Sequence, residues 1–260
     1  MNAWHMSGAG NDFIVLDARG KTLELSSLAL AKCKETGADG LLAVDVSDTA
    51  DIRLHFYNPD GSRGEMCGNG ARCVCKFAYD LGIAGEELTI ETDAGLVRGW
   101  RLDDTHYRVQ LNNPGIVDLA RRPDAAYVEL GRPGIPHSVT HVSGLSFDQK
   151  AQLLPVAREL RHDPVFSKGV NVNLYHWLDD TTVRILTYER GVEDYTLACG
   201  TGSGSVAVVL WLRGELPGGV LKAENQGGML TVSISGSHGT VEKVLLEGPV
   251  KVVKEMRSLL

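Results

Sequence analysis

The sequence predicts a mixed α/β protein of the α+β kind, built from two duplicated, pseudo-symmetric halves. Three observations carry this expectation. An eight-residue phrase occurs twice: residues 66–73 read Met-Cys-Gly-Asn-Gly-Ala-Arg-Cys, and residues 198–205 read Ala-Cys-Gly-Thr-Gly-Ser-Gly-Ser. The resemblance extends beyond the phrase. Ile52-Arg53-Leu54-His55-Phe56-Tyr57-Asn58 matches Val183-Arg184-Ile185-Leu186-Thr187-Tyr188-Glu189 at an offset of 131, and Cys67 matches Cys199 at 132. Gly82 and Gly214 also differ by 132, and Glu91-Thr92-Asp93-Ala94-Gly95-Leu96 faces Glu224-Asn225-Gln226-Gly227-Gly228-Met229 at 133. An offset that creeps by one residue at a time is what duplication with small loop changes leaves behind. Finally, both halves run through the same kinds of element in the same order.

Each half opens on strands: Phe13 to Leu16 with Leu41 to Val44, and Ser138 to Val142 with Val170 to Tyr175. An alternating strand follows (52–57 and 183–188), then a cysteine-bearing turn, one helix (69–81 and 201–213) and β-hairpins. In the first helix Ala71, Val74, Cys75, Ala78 and Leu81 fall on one face at helical spacing. The second, Val206-Ala207-Val208-Val209-Leu210-Trp211-Leu212, is apolar nearly all round and should be enclosed by a closed or strongly curved sheet. Gly82 and Gly214 supply left-handed stops. Asn112-Asn113-Pro114-Gly115 marks a boundary, giving halves 1–115 and 116–260, with the extreme C-terminal strand a candidate to pack on the first half. Residues 146–163 read as a helix added in the second half, capped by Ser146 with Asp148 in its first turn.

Composition narrows the function. The 260 residues are 43% apolar and 23% charged, as in globular proteins. A net charge of −7 without a basic cluster argues against nucleic acid. No apolar run has the length of a membrane span, and Met1-Asn2-Ala3-Trp4-His5-Met6 lacks the regions of a signal peptide, so cytoplasmic residence is expected. The five cysteines, Cys33, Cys67, Cys73, Cys75 and Cys199, form no Cys-x-x-Cys pair. No histidine spacing suggests a metal, so none is expected, and the thiols read as reduced.

The chemistry rests on two of those thiols. Cys67 and Cys199 each precede a Gly-x-Gly turn that opens a helix. There free N–H groups and the macrodipole favour an anion and lower a thiol's pKa. Removing the proton from an amino acid's α-carbon builds negative charge on that carbon and its carboxylate. A thiolate could take the proton while a second thiol returns one, inverting the centre, without a pyridoxal cofactor. The same residues admit other readings: small core cysteines, a disulfide as an oxidised, inactive form, or a non-catalytic anion-binding module, which would not need the sulfurs. Cys33, Cys73 and Cys75 read as structural. Gly200-Thr201-Gly202-Ser203-Gly204 lacks dinucleotide-loop spacing, and no P-loop is present.

Five segments together, Gly8-Ala9-Gly10-Asn11-Asp12-Phe13, Tyr57-Asn58-Pro59-Asp60-Gly61-Ser62, Met66-Cys67-Gly68-Asn69-Gly70, Glu189-Arg190-Gly191 and Ala198-Cys199-Gly200-Thr201-Gly202, make the chain resemble the diaminopimelate epimerase family over nearly its whole length. Proline racemases and hydroxyproline epimerases are similar too, but carry histidine in place of Asn69. The resemblance implies two domains, each a mostly antiparallel β-barrel around a central helix, with the active site in the cleft between them. It implies cofactor-independent interconversion of LL- and meso-diaminopimelate, on the route to lysine and peptidoglycan. Cys67 and Cys199 would be the acid–base residues, with His137 and Glu189 assisting. Gly68 with Asn69, and Gly200 with Thr201, would hold the reacting carboxylate. Arg190 would take the distal carboxylate, Glu189 the distal ammonium, and Asn11, Asn58 and Asn171 would be neutral ligands. A homodimer follows by the same analogy. Three positions depart from the family pattern: Ile135 where many members have asparagine, Gly40 where some have a substrate-contacting glutamine, and Tyr195 where an acidic residue is commoner. They leave open a relative acting on another amino acid, such as histidine.

Overall fold

A computed structural model describes residues 2–132, 134–237 and 239–256. Two compact units emerge: Met1–Gln110 together with Glu247–Leu260, and Leu111–Leu246. The duplicated α+β expectation is borne out in the sheet of each unit.

The first unit contains β1 (Ala3–Gly8), β2 (Asn11–Asp17), α1 (Leu25–Thr36), β3 (Gly40–Asp45), β4 (Ile52–Tyr57), the short β5 (Arg63–Gly64), α2 (Gly68–Asp80), β6 (Glu87–Thr92), β7 (Gly95–Arg101) and β8 (His106–Leu111). The long last strand β17 (Lys243–Met256) returns to it. The pairing β17-β1-β2-β3-β4-β6-β7-β8 closes back onto β17, an eight-stranded barrel. The pairs β2–β3 and β4–β6 are parallel. A parallel pair needs a crossover; α1 makes the first and α2 the second. Helix α2 buries Ala71, Val74, Cys75, Phe77 and Ala78, and the Trp4 ring meets Phe77 edge-on at 5.0 Å. A side chain at Gly99 would overlap the Cys75 sulfur, so that strand residue must be glycine for the helix to lie against β7.

The second unit repeats the plan with β9 (Pro114–Arg122), β10 (Ala125–Gly131), β11 (Gly134–His141), α3 (Lys150–His162), β12 (Asn171–Trp177), β13 (Thr182–Glu189), β14 (Asp194–Thr196), α4 (Gly200–Leu212), β15 (Val220–Asn225) and β16 (Gly228–Ser235). Its strand order is β9-β10-β11-β12-β13-β15-β16, again with two parallel pairs, β11–β12 and β13–β15. The core against α3 gathers Tyr127, Leu160, Phe166, Val172, Leu174 and Leu186. No helix among the described residues is long and apolar enough to cross a membrane.

Two details differ from the sequence expectation. Helix α3, entered through a 3₁₀ turn at Phe147–Gln149 with Ser146 in a capping box, is not an addition peculiar to the second half. Its counterpart is α1, which buries only Ala29 and Cys33 and leaves Leu30 53% exposed. That blurs the apolar stripe by which an amphipathic helix is read. The boundary also lies earlier than 115/116. Asn113 already bonds the Glu242 carbonyl at 2.7 Å, and Pro114 opens a strand paired with β10. The first compact unit therefore ends at Gln110.

Candidate active site

Both cysteines occupy N-caps. Cys67 precedes α2 with extended backbone (φ −131°, ψ 119°), and Cys199 precedes α4 in nearly the same conformation (φ −120°, ψ 113°). Their carbonyls already accept the first helical bonds, from Ala71 at 2.8 Å and Ser203 at 2.9 Å. Each thiol thus stands at a helix entry, where the first-turn N–H groups have no partner within the helix. The far ends match as well. Gly82 and Gly214 adopt φ of 65° and 75° and donate to Tyr79 and Trp211, while Ile83 and Glu215 reach back to Ala78 and Leu210. Both are Schellman stops.

In the first unit, Asn69 donates to Asn11 Oδ1. Asn11 is aimed there by the β1–β2 turn, whose central residues Ala9 and Gly10 both have positive φ, 54° and 88°. Gly8 lets that turn approach α2, because a Cβ there would lie 2.8 Å from the Asn69 carbonyl oxygen. Asn11 also donates to Asp39 at 3.3 Å. Asn58 instead bonds within its own turn, to the Ser62 hydroxyl at 3.0 Å. The Phe56 ring and the Tyr57 carbonyl oxygen occupy the space a side chain at Gly40 would need.

In the second unit, Cys199 Sγ accepts from the Gly202 N–H at 3.4 Å and lies 3.5 Å from Thr201 Oγ1. Thr201 Oγ1 lies 3.1 Å from His137 Nε2. His137 is wholly buried. Burial, and then the nearby Arg190 charge, pull its imidazole down to about 3, so it is neutral at ordinary pH. His137 pairs Asn171 across β11 and β12. The Asn171 Oδ1 accepts from the Arg190 backbone N–H at 2.8 Å. Arg190 extends outward, exposed, with one guanidinium nitrogen on the Lys168 carbonyl at 2.9 Å. Glu189 accepts from Thr196 Oγ1 at 2.6 Å.

Each unit therefore gathers its own expected residues: Cys67, Gly68, Asn69 and Asn11 in one, and Cys199, Gly200, Thr201, His137, Asn171, Glu189 and Arg190 in the other. The remaining cysteines are buried. Burial raises the Cys33 thiol to about 11 and Cys75 to about 12, and pushes Cys73 up as well. These are poor acid–base groups, as the sequence suggested. Of the other departures, Tyr195 stands edge-on to Tyr188 at 5.7 Å, its phenol raised to about 12 by burial, and Ile135 pairs with Leu130 in the sheet.

Sequence reasoning missed three residues. Asn173 and Thr187 are buried polar groups beneath the Cys199 turn. They align with Leu42 and Phe56 in the first half, and polarity at a repeated core position is the signal that could have found them. Arg72 is 0% exposed, and its guanidinium nitrogens have no hydrogen-bond partner among the described residues. Burial lowers it to about 10, and it lies within electrostatic reach of Cys67, Cys73 and Cys75. Nothing in the spacing of α2 distinguishes it from a surface arginine.

A sequence profile described as diaminopimelate epimerase matches residues 3–117 and 132–253. The chain is 34% identical to the diaminopimelate epimerase of Aquifex aeolicus, over 99% of this chain and 97% of that one. It is 35% identical to that of Archaeoglobus fulgidus, over 88% of each. Among solved structures, a phenazine biosynthesis protein of the PhzF family from Bacillus anthracis superposes with a TM-score of 0.77 at 17% identity, covering 100% of this chain and 99% of that one. A hydroxyproline epimerase from Agrobacterium vitis, with bound trans-4-hydroxy-L-proline, gives 0.70 at 17%, covering 98% and 91%. At such identities these structures speak for the fold alone. The sequence relatives speak for more: the chain belongs to the diaminopimelate epimerase family.

Proposed function

We propose that this protein is an isomerase that inverts one α-carbon of 2,6-diaminopimelate, LL to meso, by proton transfer between thiol groups. The observation that carries the reading is the pair of cysteines at the N-caps of equivalent central helices, in a chain of this family. In the proposed scheme one thiolate takes the α-proton and the other thiol delivers a proton to the carbanion, so Cys67 and Cys199 exchange roles between the two directions. General acid–base help of this kind contributes roughly 10²- to 10⁴-fold. The negative charge that develops on the reacting carboxylate is met by the first-turn N–H groups at Gly68 and Asn69, and at Gly200 and Thr201. Such preorganised donors are worth about 3 kcal/mol each in a dry site. Arg190 supplies a guanidinium for the distal carboxylate, Glu189 a carboxylate for the distal ammonium, and Asn11, Asn58 and Asn171 neutral contacts. The two compact units correspond in this proposal to two epimerase halves. Cytoplasmic residence and a homodimer belong to it as well, the latter to be checked by sedimentation.

The test is α-proton exchange in deuterium oxide, followed by proton NMR over a panel of amino acids with no cofactor added. Deuterium should enter diaminopimelate and accompany the appearance of the meso form. Exchange confined to histidine or another amino acid would overturn the substrate, and no exchange at all would overturn the reaction class.

A further inference from the structure

The Cys199 turn rests on a chain of buried polar groups that reaches well below the helix entry. Asn173, wholly buried on β12, places its Nδ2 2.9 Å from the Ser138 carbonyl and 3.2 Å from His137 Nδ1. The Asn171 carbonyl lies at 3.4 Å from the same nitrogen. Its Oδ1 accepts from Thr187 Oγ1 at 3.0 Å. The orientation of this amide is forced, because a flipped one would set its oxygen against two carbonyl oxygens, which cannot donate. Of the amide's two hydrogens, one goes to the Ser138 carbonyl at 2.9 Å, and the other has His137 Nδ1 at 3.2 Å nearer than the Asn171 carbonyl at 3.4 Å. An N–H can be met only by an acceptor, so Nδ1 carries no proton, and a neutral imidazole must hold its proton on Nε2. The Nε2–H points at Thr201 Oγ1, 3.1 Å away. With that lone pair engaged, the Thr201 hydroxyl proton is left to turn toward Cys199 Sγ at 3.5 Å. Gly202 belongs to the same construction, since a Cβ there would overlap Asn173 Oδ1.

We infer that Asn173 is a positioning residue: it fixes His137 as the Nε2–H tautomer and thereby, through Thr201, aims a hydroxyl donor at the Cys199 sulfur. Two donors, this hydroxyl and the Gly202 N–H, then stabilise the thiolate. The consequence for turnover rests on the reading of Cys199 as an acid–base residue; the tautomer and the donor do not. Asn173→Asp offers a carboxylate oxygen where the amide offered N–H. It should draw the imidazole proton to Nδ1, turn Nε2 into an acceptor, and rotate the Thr201 hydroxyl away from the sulfur.

Long-range ¹H–¹⁵N NMR of the imidazole, assigned by its absence in His137→Gln, should show the Nε2–H form in the unsubstituted protein and the Nδ1–H form in Asn173→Asp. Iodoacetamide alkylation of Cys199 at fixed pH, read by peptide mass, should slow on the order of tenfold in Asn173→Asp, the worth of one hydrogen bond to a charged group. Thr201→Val should slow it to a similar extent, and adding Asn173→Asp to Thr201→Val should cost nothing more, because the two act in series. An Nδ1–H tautomer in the unsubstituted protein overturns the inference. So does a slowing by Asn173→Asp that persists undiminished in the Thr201→Val background, which would be a direct effect of the new charge. If Asn173→Asp fails to fold, Asn173→Ala is put through the same alkylation cycle and the unsubstituted protein's tautomer still decides. Absence of α-proton exchange would remove the catalytic reading while leaving the tautomer and alkylation results standing.

Discussion

Cys67 and Cys199 head equivalent helices in equivalent strand frameworks, yet the two rest on unlike beds. The sheet registers make the correspondence explicit. Phe13 pairs Gly40 and Leu41 pairs Tyr57 in one unit, as His137 pairs Asn171 and Val172 pairs Tyr188 in the other. Phe13, Leu42 and Phe56 therefore stand where the second unit has His137, Asn173 and Thr187. Beneath Cys67 the wall is hydrocarbon, and beneath Cys199 it is a bonded chain of imidazole, amide and hydroxyl. The first unit instead places a buried cation, Arg72, within electrostatic reach of its thiol, at the position that aligns with Gly204. Duplication preserved the helix entry and its stops, while the residues packed against them diverged.

Cys67→Ala and Cys199→Ala should each lower racemisation by at least about 10²-fold with unchanged circular dichroism; robust turnover in either would end the shared role of the two thiols. His137 gives a pH test. Its imidazole falls from an ordinary 6.5 to about 3 in the folded protein, so between those values the unfolded chain binds a proton that the folded chain does not. Stability then rises with pH through this window and is lost as pH falls through it, by at most about 1.4 kcal/mol per pH unit from this one group. His137→Gln should flatten the acid limb of the denaturation midpoint, bringing the second unit closer to the non-titrating Phe13 of the first. An unchanged slope would assign the acid sensitivity elsewhere.

Smaller effects sharpen the contrast between the two beds. A Cβ at Gly202 overlaps the fixed Asn173 amide, whereas one at Gly70 meets the Leu42 methyls at 3.1 and 3.3 Å. Gly202→Ala should therefore cost about 1–3 kcal/mol by overpacking. Gly70→Ala should be close to neutral in urea unfolding, because alanine's helix preference, about 1 kcal/mol, offsets a shift of flexible methyls. Equal costs would mean that the two turns are packed alike. Thr187→Val should cost about 1 kcal/mol for one lost donor to the Asn173 oxygen, measured by the same unfolding.

Much of this was legible because the signals are local. Gly-x-Gly after cysteine, glycine at each helix stop and the alternation in 52–57 and 183–188 act within a few residues, and they place both thiols at helix entries. The crossover α1 escaped because Ser26, Ser27 and an exposed Leu30 break its stripe. Strand β1 escaped because it is buried on both faces over its second half, so no alternation shows. Strand β17 carries Gly248-Pro249, and its pairing with β1 ends at Val250, one residue past the proline. Asn173 and Thr187 could not be singled out from either half alone. A lone buried asparagine is an ordinary core oddity until its partners across three strands are known.

Strand β17 has a consequence for how the chain is made. Ribosomes release residues in order, so the stave that closes the first barrel emerges only after all of Leu111–Leu246 has been synthesised. Until then the nascent first unit is an open sheet with β1 and β8 as bare margins, the kind of exposed edge that invites mispairing. The later-born unit is thus the first to have its strands β9 to β16 available, and the earlier-born one completes last.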